Sequence, residues 1–248
     1  MGRFVVLSGP SCIGKGPLVK ALKIFHPHLV SGFQQVILYN DRAPRPGEVD
    51  GVDYHFRPRA EIERFRGDPG YVVADVRGDL QALELGRIQA ILDQGGTPFF
   101  EGNPFIPAIL RQAGVFDRYP ALTVFLSPLS REEVLALKNP ALKADLPALV
   151  ADVQRRKLLH RTTRQKTYLS FKDLENIEKR CGSAYNEMKE ACHFDWVIPN
   201  HDGEGNDNWD ALYFPVGDAR KTLEAFAGLL RGEQPHGRVE KWEPDLLP

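Results

Sequence analysis

The sequence predicts an α/β fold with a doubly wound parallel sheet, because short apolar runs alternate with segments of helical spacing. Five runs have the length and apolar character of buried strands: FVVL (4–7), YVVADV (71–76), TPFFEG (97–102), ALTVFL (121–126) and FDWVIPN (194–200). Strands that are apolar on both faces are typical of parallel sheets covered by helices on each side.

Helices are predicted between these strands, at about 17–25, 80–94, 107–113 and 217–231 and over most of 130–192. In 80–94, Leu80, Leu83, Ile88 and Ile91 recur at helical intervals. Two segments interrupt the pattern. Residues 138–160 carry two prolines and a helical stretch, and in 201–216 a polar turn before an apolar run predicts a hairpin. The tail, 233–248, is rich in proline and charge, so we expect it to be loosely held.

Composition narrows the function classes. The 248 residues are 42% hydrophobic, which suits one large domain, and the net charge of −1 argues against nucleic acid as a partner. Three cysteines without metal spacing favour a reduced, cytoplasmic setting. With no signal-peptide pattern and no apolar run of about 18 residues, we expect no membrane partner. We expect a monomer or homodimer.

A phosphate-binding motif joins the first strand to the first helix. Gly-x-x-x-x-Gly-Lys runs from Gly9 to Lys15. Its glycines let backbone N–H groups face inward, the helix adds its positive end, and the lysine can reach outer phosphates. We therefore expect ATP to bind at five loop residues: Gly9, Ser11, Gly14, Lys15 and Gly16.

Gly16 occupies a position where Ser or Thr ordinarily ligates Mg²⁺. Without that hydroxyl, the metal depends on phosphate oxygens, water and acids elsewhere. Glu101, at the end of the TPFFE strand, is our candidate for a water-mediated Mg²⁺ contact, with a solvated or helix-capping acid as the equally weighted alternative.

A second motif, RAPRPGEVDGVDYHF (42–56), together with SGPSCIGKGPLVKAL, resembles the guanylate kinase family. The resemblance continues through RRKLLHRTT (155–163), which aligns with the family's lid segment, and EKRCGSAYNE (178–187), which aligns with its Arg-x-x-x-Ala-x-x-Glu helix. It implies a P-loop kinase domain over 1–232, with an acceptor-binding region at 34–80, a helical lid at 138–180 and an insertion at 201–216.

The resemblance also implies residue roles. Arg42, Arg45 and Tyr54 align with the family's clamp for the acceptor phosphate, and two guanidinium groups with a phenol suit a phosphomonoester. Arg161 and Arg180 align with catalytic lid arginines, and such cations stabilise a charge-spread transition state. Arg42 and Lys15 join them as expected catalytic residues. Asn200 ends the strand near the family's adenine site.

The base-reading positions depart from the family. Val72 stands where the family has an acid, and Leu83 stands where it has a hydroxyl that contacts the base. Leu38 replaces a serine, and Gln81 replaces a tyrosine that contacts the acceptor phosphate. An acid pair becomes Glu101 and Asn103, and we expect Gln81 and Asn103 to contact the acceptor. Asp75 or Asp79 supplies an acid only if the alignment shifts. Apolar side chains cannot accept hydrogen bonds from the N–H groups of guanine.

The sequence therefore predicts an ATP- and Mg²⁺-dependent kinase whose acceptor is a nucleotide or other phosphorylated small molecule, but not GMP. Two alternatives stay open. Ribose 1,5-bisphosphate phosphokinases share the fold and lack the loop hydroxyl, although they do not normally carry the PRPGE-x-DG stretch. Phosphopeptide-binding guanylate kinase-like modules do not catalyse, and Lys15, Arg161 and Arg180 argue against that function.

Overall fold

The computed structural model describes residues 2–45 and 47–247, so Pro46 of the PRPGE stretch lies outside the described residues together with Met1 and Pro248. Strands and helices are interspersed along the chain, with some strands and some helices in direct succession. The strands are β1 (Phe4–Ser8), β2 (Phe33–Gln35), β3 (Tyr39–Asn40), β4 (His55–Phe56), β5 (Tyr71–Val76), β6 (Asp79–Glu84), β7 (Thr97–Gly102), β8 (Ala121–Ser127) and β9 (Trp196–Pro199). The helices are α1 (Lys15–Phe25), α2 (Pro27–Val30), α3 (Arg59–Glu63), α4 (Leu85–Asp93), α5 (Phe105–Gln112), α6 (Val115–Arg118), α7 (Arg131–Leu137), α8 (Leu146–Gln165), α9 (Phe171–Lys189) and α10 (Gly217–Arg231).

Five strands form one sheet in the order β2-β7-β1-β8-β9. The pairs β2–β7 and β8–β9 are parallel, and all five residues of β1 are buried. A buried parallel sheet with helical connections confirms the predicted fold class.

The chain divides into two compact units. The first comprises residues up to Val6 together with Gly32–Leu122, and the second comprises Leu7–Ser31 together with the chain from Thr123 onward. The first unit carries the segment expected to bind the acceptor. The second carries the phosphate loop and the predicted lid helices.

The first unit contains a second, four-stranded sheet in the order β4-β3-β6-β5. Strand β3 pairs parallel with β4 and antiparallel with β6, and β5 and β6 form an antiparallel hairpin. One face of this sheet packs on α3, where Ile62, Leu80 and Ala82 form a fully buried cluster.

The predicted helix at 80–94 is wrong over its first residues, because β6 runs to Glu84 and α4 begins only at Leu85. Arg77 and Gly78 both have positive φ, at 58° and 85°, which is the backbone of a two-residue hairpin turn. Because β6 is buried on both faces, the spacing of Leu80 and Leu83 fits a strand as well as a helix.

The second unit confirms the largely helical stretch at 130–192, with α7, α8 and α9 in succession. Helices α8 and α9 pack against each other. Their outer faces are joined by Arg155, whose guanidinium donates to both carboxylate oxygens of Glu178 at 2.7 and 2.8 Å. Ser170 begins α9 with a reciprocal capping box to Asp173.

The predicted hairpin at 201–216 is wrong, since the described residues there form turns and a short 3₁₀ helix, Asp207–Trp209. Some of its apolar residues pack against the fold, whereas Leu212 and Tyr213 are exposed. Trp209 is buried, and the Phe214 ring lies 4.5 Å from that of Phe25.

The tail is packed, contrary to its predicted looseness. Val197 and Glu240 exchange backbone hydrogen bonds of 2.8 Å in both directions, and Trp242 is only 2% exposed. The apolar residues of the tail, including Leu246, offset its proline and charge content. Among the described residues, no helix is both long and apolar enough to cross a membrane.

Candidate active site

At two positions of the phosphate loop in the second unit, the backbone conformation and the space available require glycine. Gly9 has φ 148° and Gly14 has φ 98°. A Cβ on Gly9 would lie 2.4 Å from the carbonyl oxygen of Leu126, and one on Gly14 would lie 2.6 Å from Nδ2 of Asn200. The tight fit fixes the loop directly before the N-terminus of α1, where backbone N–H groups favour an anion.

Lys15 is held over this loop. Its side chain is 8% exposed, and its Nζ donates to the carbonyl oxygens of Gly9 and Pro10 at 2.9 Å each. A mostly buried ammonium group anchored to two carbonyls is a fixed positive charge beside the helix N-terminus. This cradle fits a polyphosphate.

Gly16 differs from the other loop glycines. No heavy atom lies within 4 Å of a Cβ added there, so packing does not require glycine. The described residues contain no group of three His, Cys, Asp or Glu side chains arranged to hold a metal. Glu101 lies half-buried in β7, in the first unit. The water-mediated contact of Glu101 with Mg²⁺ stays a prediction.

The predicted lid arginines lie on the two paired helices, Arg161 on α8 and Arg180 on α9. Arg161 donates to a carboxylate oxygen of Glu204 at 2.6 Å, and both side chains are about one-fifth exposed. The backbone N–H of Glu204 donates to the carbonyl of Cys12 in the phosphate loop at 3.1 Å. The Glu204 segment thus contacts both the loop and the lid helix, a link that the sequence pattern did not reveal.

Asn200 is wholly buried and engaged by backbone groups. Its Nδ2 donates to the carbonyls of Ile13 at 2.7 Å and Asp202 at 2.8 Å. These bonds tie the end of β9 to the phosphate loop. Asn200 thereby helps to position the loop, and its contact with adenine stays a prediction.

Two titratable residues beside this loop were not among the site residues predicted from the sequence. Burial lowers the pKa of Lys157 to about 8, while its Nζ donates to the carbonyl of Asn200 at 3.1 Å. Burial, with the charge of Glu204, raises the pKa of the Cys12 thiol to about 11, so Cys12 is a protonated packing residue. Lys157 stands in a run of basic residues, RRK, and nothing local marks it as buried.

The predicted acceptor clamp in the first unit is assembled around an ion pair. Both terminal nitrogens of Arg42 donate to the carboxylate of Glu48 at 2.7 Å, and the guanidinium lies over the rings of Tyr54 at 5.0 Å and Phe56 at 5.4 Å. Burial opposes ionisation of Glu48, but hydrogen bonds from Arg42 and the Arg45 backbone outweigh it and lower the pKa of Glu48. Arg42 and Tyr54 are therefore brought together as predicted.

Arg45 lies at the edge of the same group. Its Nη1 is 3.8 Å from Glu48, and its side chain is half exposed. The exposed guanidinium is positioned to meet an anion from solvent, and Glu48 orients both arginines. Glu48 was not among the predicted site residues, although it stands in the quoted motif.

The hairpin β5–β6 carries the altered base-reading positions. Val72 is register partner of Leu83, and the two residues are 5% and 0% exposed. Gln81 is largely buried on the same strand as Leu83. Asn103 lies between β7 and α5, and its Oδ1 accepts from the backbone N–H of Phe105 at 2.9 Å. The side chains of Val72 and Leu83 provide packing surface and carry no hydrogen-bonding group.

Comparison with known proteins decides the family. The guanylate kinase family model matches residues 1–145, more than half of the chain. The chain belongs to the guanylate kinase family. The guanylate kinase of Nitratidesulfovibrio vulgaris is 30% identical over 235 residues, covering 93% of this chain and 96% of the relative. That of Rhodococcus jostii is 32% identical over 201 residues, 81% of each chain.

A solved structure confirms the fold. The crystal structure of guanylate kinase from Anaplasma phagocytophilum superimposes with a TM-score of 0.54 at 18% identity, covering 96% of this chain and 89% of that chain. Membership of this family makes the chain a nucleotide kinase, an enzyme of the phosphotransferase class.

Proposed function

We propose that this guanylate kinase family member transfers the γ-phosphoryl group of ATP to a phosphorylated acceptor and reads guanine poorly. The observation that carries the proposal is the contrast within the first unit. The Arg42–Glu48–Tyr54 clamp is intact, whereas the base-reading positions Val72 and Leu83 are buried apolar residues.

In the proposed reaction, an acceptor phosphate oxygen forms a bond to the γ-phosphorus of ATP, the bond to the β–γ bridging oxygen breaks, and ADP leaves. Lys15 and the loop N–H groups hold the donor phosphates. Arg161 and Arg180 stabilise charge on the transferring group. Mg²⁺ bound to ATP would neutralise phosphate charge, with Glu101 as a candidate water-mediated contact.

On the acceptor side, Arg42, Arg45 and Tyr54 hold the phosphate. Arg42 has to exchange its bond to Glu48 for bonds to the acceptor, or share it, since a bidentate guanidinium offers a limited set of donors. Gln81 and Asn103 are proposed to contact the remainder of the acceptor.

A second candidate function is that of an ordinary guanylate kinase with GMP as acceptor. The relatives from N. vulgaris and R. jostii both carry the name guanylate kinase, and the matches span most of each chain. This candidate requires groups other than Val72 and Leu83 to pair with guanine.

The test is ADP release from ATP and Mg²⁺ with a panel of nucleoside monophosphates and sugar phosphates, using the wild type, Lys15→Ala and Lys20→Ala. Lys20 is the matched control, because it lies on the same helix with a side chain 68% exposed. We expect Lys15→Ala to lose about a hundredfold or more of the activity, since one transition-state charge contact is worth about 3 kcal/mol. Lys20→Ala should retain the parent rate.

Equal turnover by wild type and Lys15→Ala would show that the loop is not the donor site. If no acceptor stimulates ADP release, the kinase proposal fails. Efficient turnover confined to GMP would decide for the second candidate.

A further inference from the structure

One glutamate of the second unit joins the phosphate loop to a predicted lid helix. Glu204 lies in the expected insertion at 201–216. Its backbone N–H donates to the carbonyl of Cys12 at 3.1 Å, and its own carbonyl accepts from the Cys12 thiol at 3.6 Å. Its carboxylate accepts from Nη1 of Arg161 at 2.6 Å. The backbone of Glu204 is thereby fixed to the loop, while its side chain binds a predicted lid arginine.

The residues on either side of Glu204 are glycines, and both positions favour glycine. A Cβ on Gly203 would lie 2.6 Å from the carbonyl oxygen of Cys12 and 3.0 Å from Cδ of Lys157. Gly205 has φ 83°, in the left-handed region that other residues rarely adopt. The chain can therefore approach the loop and α8 closely, and Glu204 provides the functional group between them.

Helix α8 is held to the same segment on both sides of Arg161. His160 Nε2 lies 3.0 Å from the carbonyl oxygen of Gly205, and Arg164 donates to that oxygen at 3.0 Å and to the carboxylate of Asp207. The Arg164 and Asp207 side chains are 51% and 73% exposed, whereas those of Arg161 and Glu204 are 20% and 22% exposed. Solvent screens a partly buried pair less, so the bond to Glu204 restrains its arginine more strongly.

The bond to Glu204 leaves Arg161 able to bind an anion. It uses one terminal nitrogen, whereas Arg155 of the same helix donates from two nitrogens to Glu178. A guanidinium has five N–H donors, so donors remain for a phosphate oxygen. Burial and the charge of Glu204 raise the pKa of the Cys12 thiol, whereas the charge of Arg161 lowers it, so both charges act on the loop.

The negative charge of Glu204 is unfavourable beside a site for phosphates, because like charges repel. Glutamine at this position would keep both backbone bonds to Cys12 without that repulsion. The backbone contacts therefore do not explain why the residue is an acid. Orientation of the Arg161 guanidinium does explain it.

We infer that Glu204 is a positioning residue for phosphoryl transfer, which holds the Arg161 guanidinium beside the phosphate loop in the orientation that stabilises the transferring group. The inference rests on the proposed function, which assigns this stabilisation to Arg161. A cation that is oriented before the reaction stabilises developing charge without the cost of reorganisation. Glu204 therefore acts on the chemical step and not on the affinity for ATP.

The experiment measures kcat and the KM for ATP of Glu204→Gln by ADP release, with whichever of AMP, GMP, CMP and UMP the wild type turns over fastest. We expect kcat to fall about tenfold or more, because a misplaced catalytic group loses much of its effect. The KM for ATP should decrease or stay within about twofold, because a repulsive charge is removed. Asp207→Asn is the matched control, since it removes the carboxylate of the same segment that binds Arg164. It should keep both parameters within about twofold.

The Arg161→Ala background separates positioning from packing. There, Glu204→Gln should change kcat by less than about twofold, because no guanidinium is left to orient. If Glu204→Gln does not fold, Glu204→Asp replaces it in both backgrounds. Aspartate keeps the charge and the backbone bonds but is one methylene shorter, so its kcat should lie between those of the wild type and Arg161→Ala.

An unchanged kcat in Glu204→Gln would overturn the inference, and so would an equal loss of kcat in the Arg161→Ala background. A raised KM for ATP with unchanged kcat would give Glu204 a structural function in the loop and would also overturn it. The proposed function survives these results, since each requires turnover by the wild type. Its own failure shows separately, as the absence of ADP release with every acceptor, and it would remove the inference as well.

Discussion

The clamp around Arg42 and the hairpin β5–β6 belong to the same unit but are built in opposite ways. The clamp is a group of charged and aromatic side chains that orient one another, with Arg42 paired to Glu48 and lying over Tyr54. At Val72 and Leu83 the hairpin has buried apolar side chains that pair across two strands. The groups proposed to bind phosphate are thus polar and partly exposed, whereas the positions that align with the family's base-reading residues are part of the core. A core position can change from polar to apolar without loss of the fold, and often with a gain in stability.

The largest effect that separates the two regions is expected in stability. Leu83→Ala removes a fully buried side chain, so we predict a decrease of about 2–5 kcal/mol in the free energy of unfolding. Tyr54→Phe should change it by less than about 1 kcal/mol, because it deletes one hydroxyl from a half-buried ring. Urea unfolding at constant pH measures both. A Leu83→Ala variant as stable as the wild type would place Leu83 at an open cavity and not in the core.

The next effect is in acceptor binding. Arg42→Ala should raise the acceptor KM by about ten- to a hundredfold, because a charge-assisted phosphate bond is worth about 1.5–3 kcal/mol. The KM for ATP should stay nearly unchanged. Arg42→Lys, which keeps the charge but loses the fork, should lie between the two. Steady-state kinetics with either substrate varied distinguishes these outcomes, and an equal rise in both KM values would contradict a clamp dedicated to the acceptor.

The smallest effect concerns the ionisation of Glu48. Its pKa is lowered below the ordinary 4.5, so its stabilising contribution is full above about pH 4.5 and is lost as the pH falls through the folded-state value. We predict that Glu48→Gln is less stable than the wild type by about 1 kcal/mol at pH 7 and that the difference shrinks toward pH 3. Leu83→Ala should show a pH-independent difference over the same range. A Glu48→Gln difference that persists undiminished at low pH would show that the ion pair is not its source.

The sequence was informative where local chemistry determines structure. The loop from Gly9 to Lys15 was predictable from its glycines and lysine, and the Arg42 clamp was predictable from a dense motif. The strand at 80–84 was not predictable from its own residues, because apolar residues on both faces fit a helix as well as a strand. The signal that distinguishes the two is the Arg77–Gly78 turn before it. The 201–216 segment and the tail pack through single residues such as Trp209 and Trp242, whose burial depends on distant elements.

The candidate site shows the same limit. Glu48 stood in the motif but without an evident partner. Lys157 and Glu204 became relevant only through contacts with residues more than 40 positions away, such as the Lys157 bond to Asn200. Composition and spacing report which groups a chain contains, whereas burial and partners arise from tertiary packing.

The central claim is that the chain keeps its phosphate clamp while lacking the polar readers of guanine. The most direct test is the ratio of kcat/KM for GMP to that for each other nucleoside monophosphate, measured by ADP release with wild-type protein. We predict turnover with at least one nucleoside monophosphate and a preference for GMP of less than about tenfold over the best alternative. A GMP preference of about 10⁴-fold, the selectivity that a fully hydrogen-bonded base pocket can reach, would contradict it.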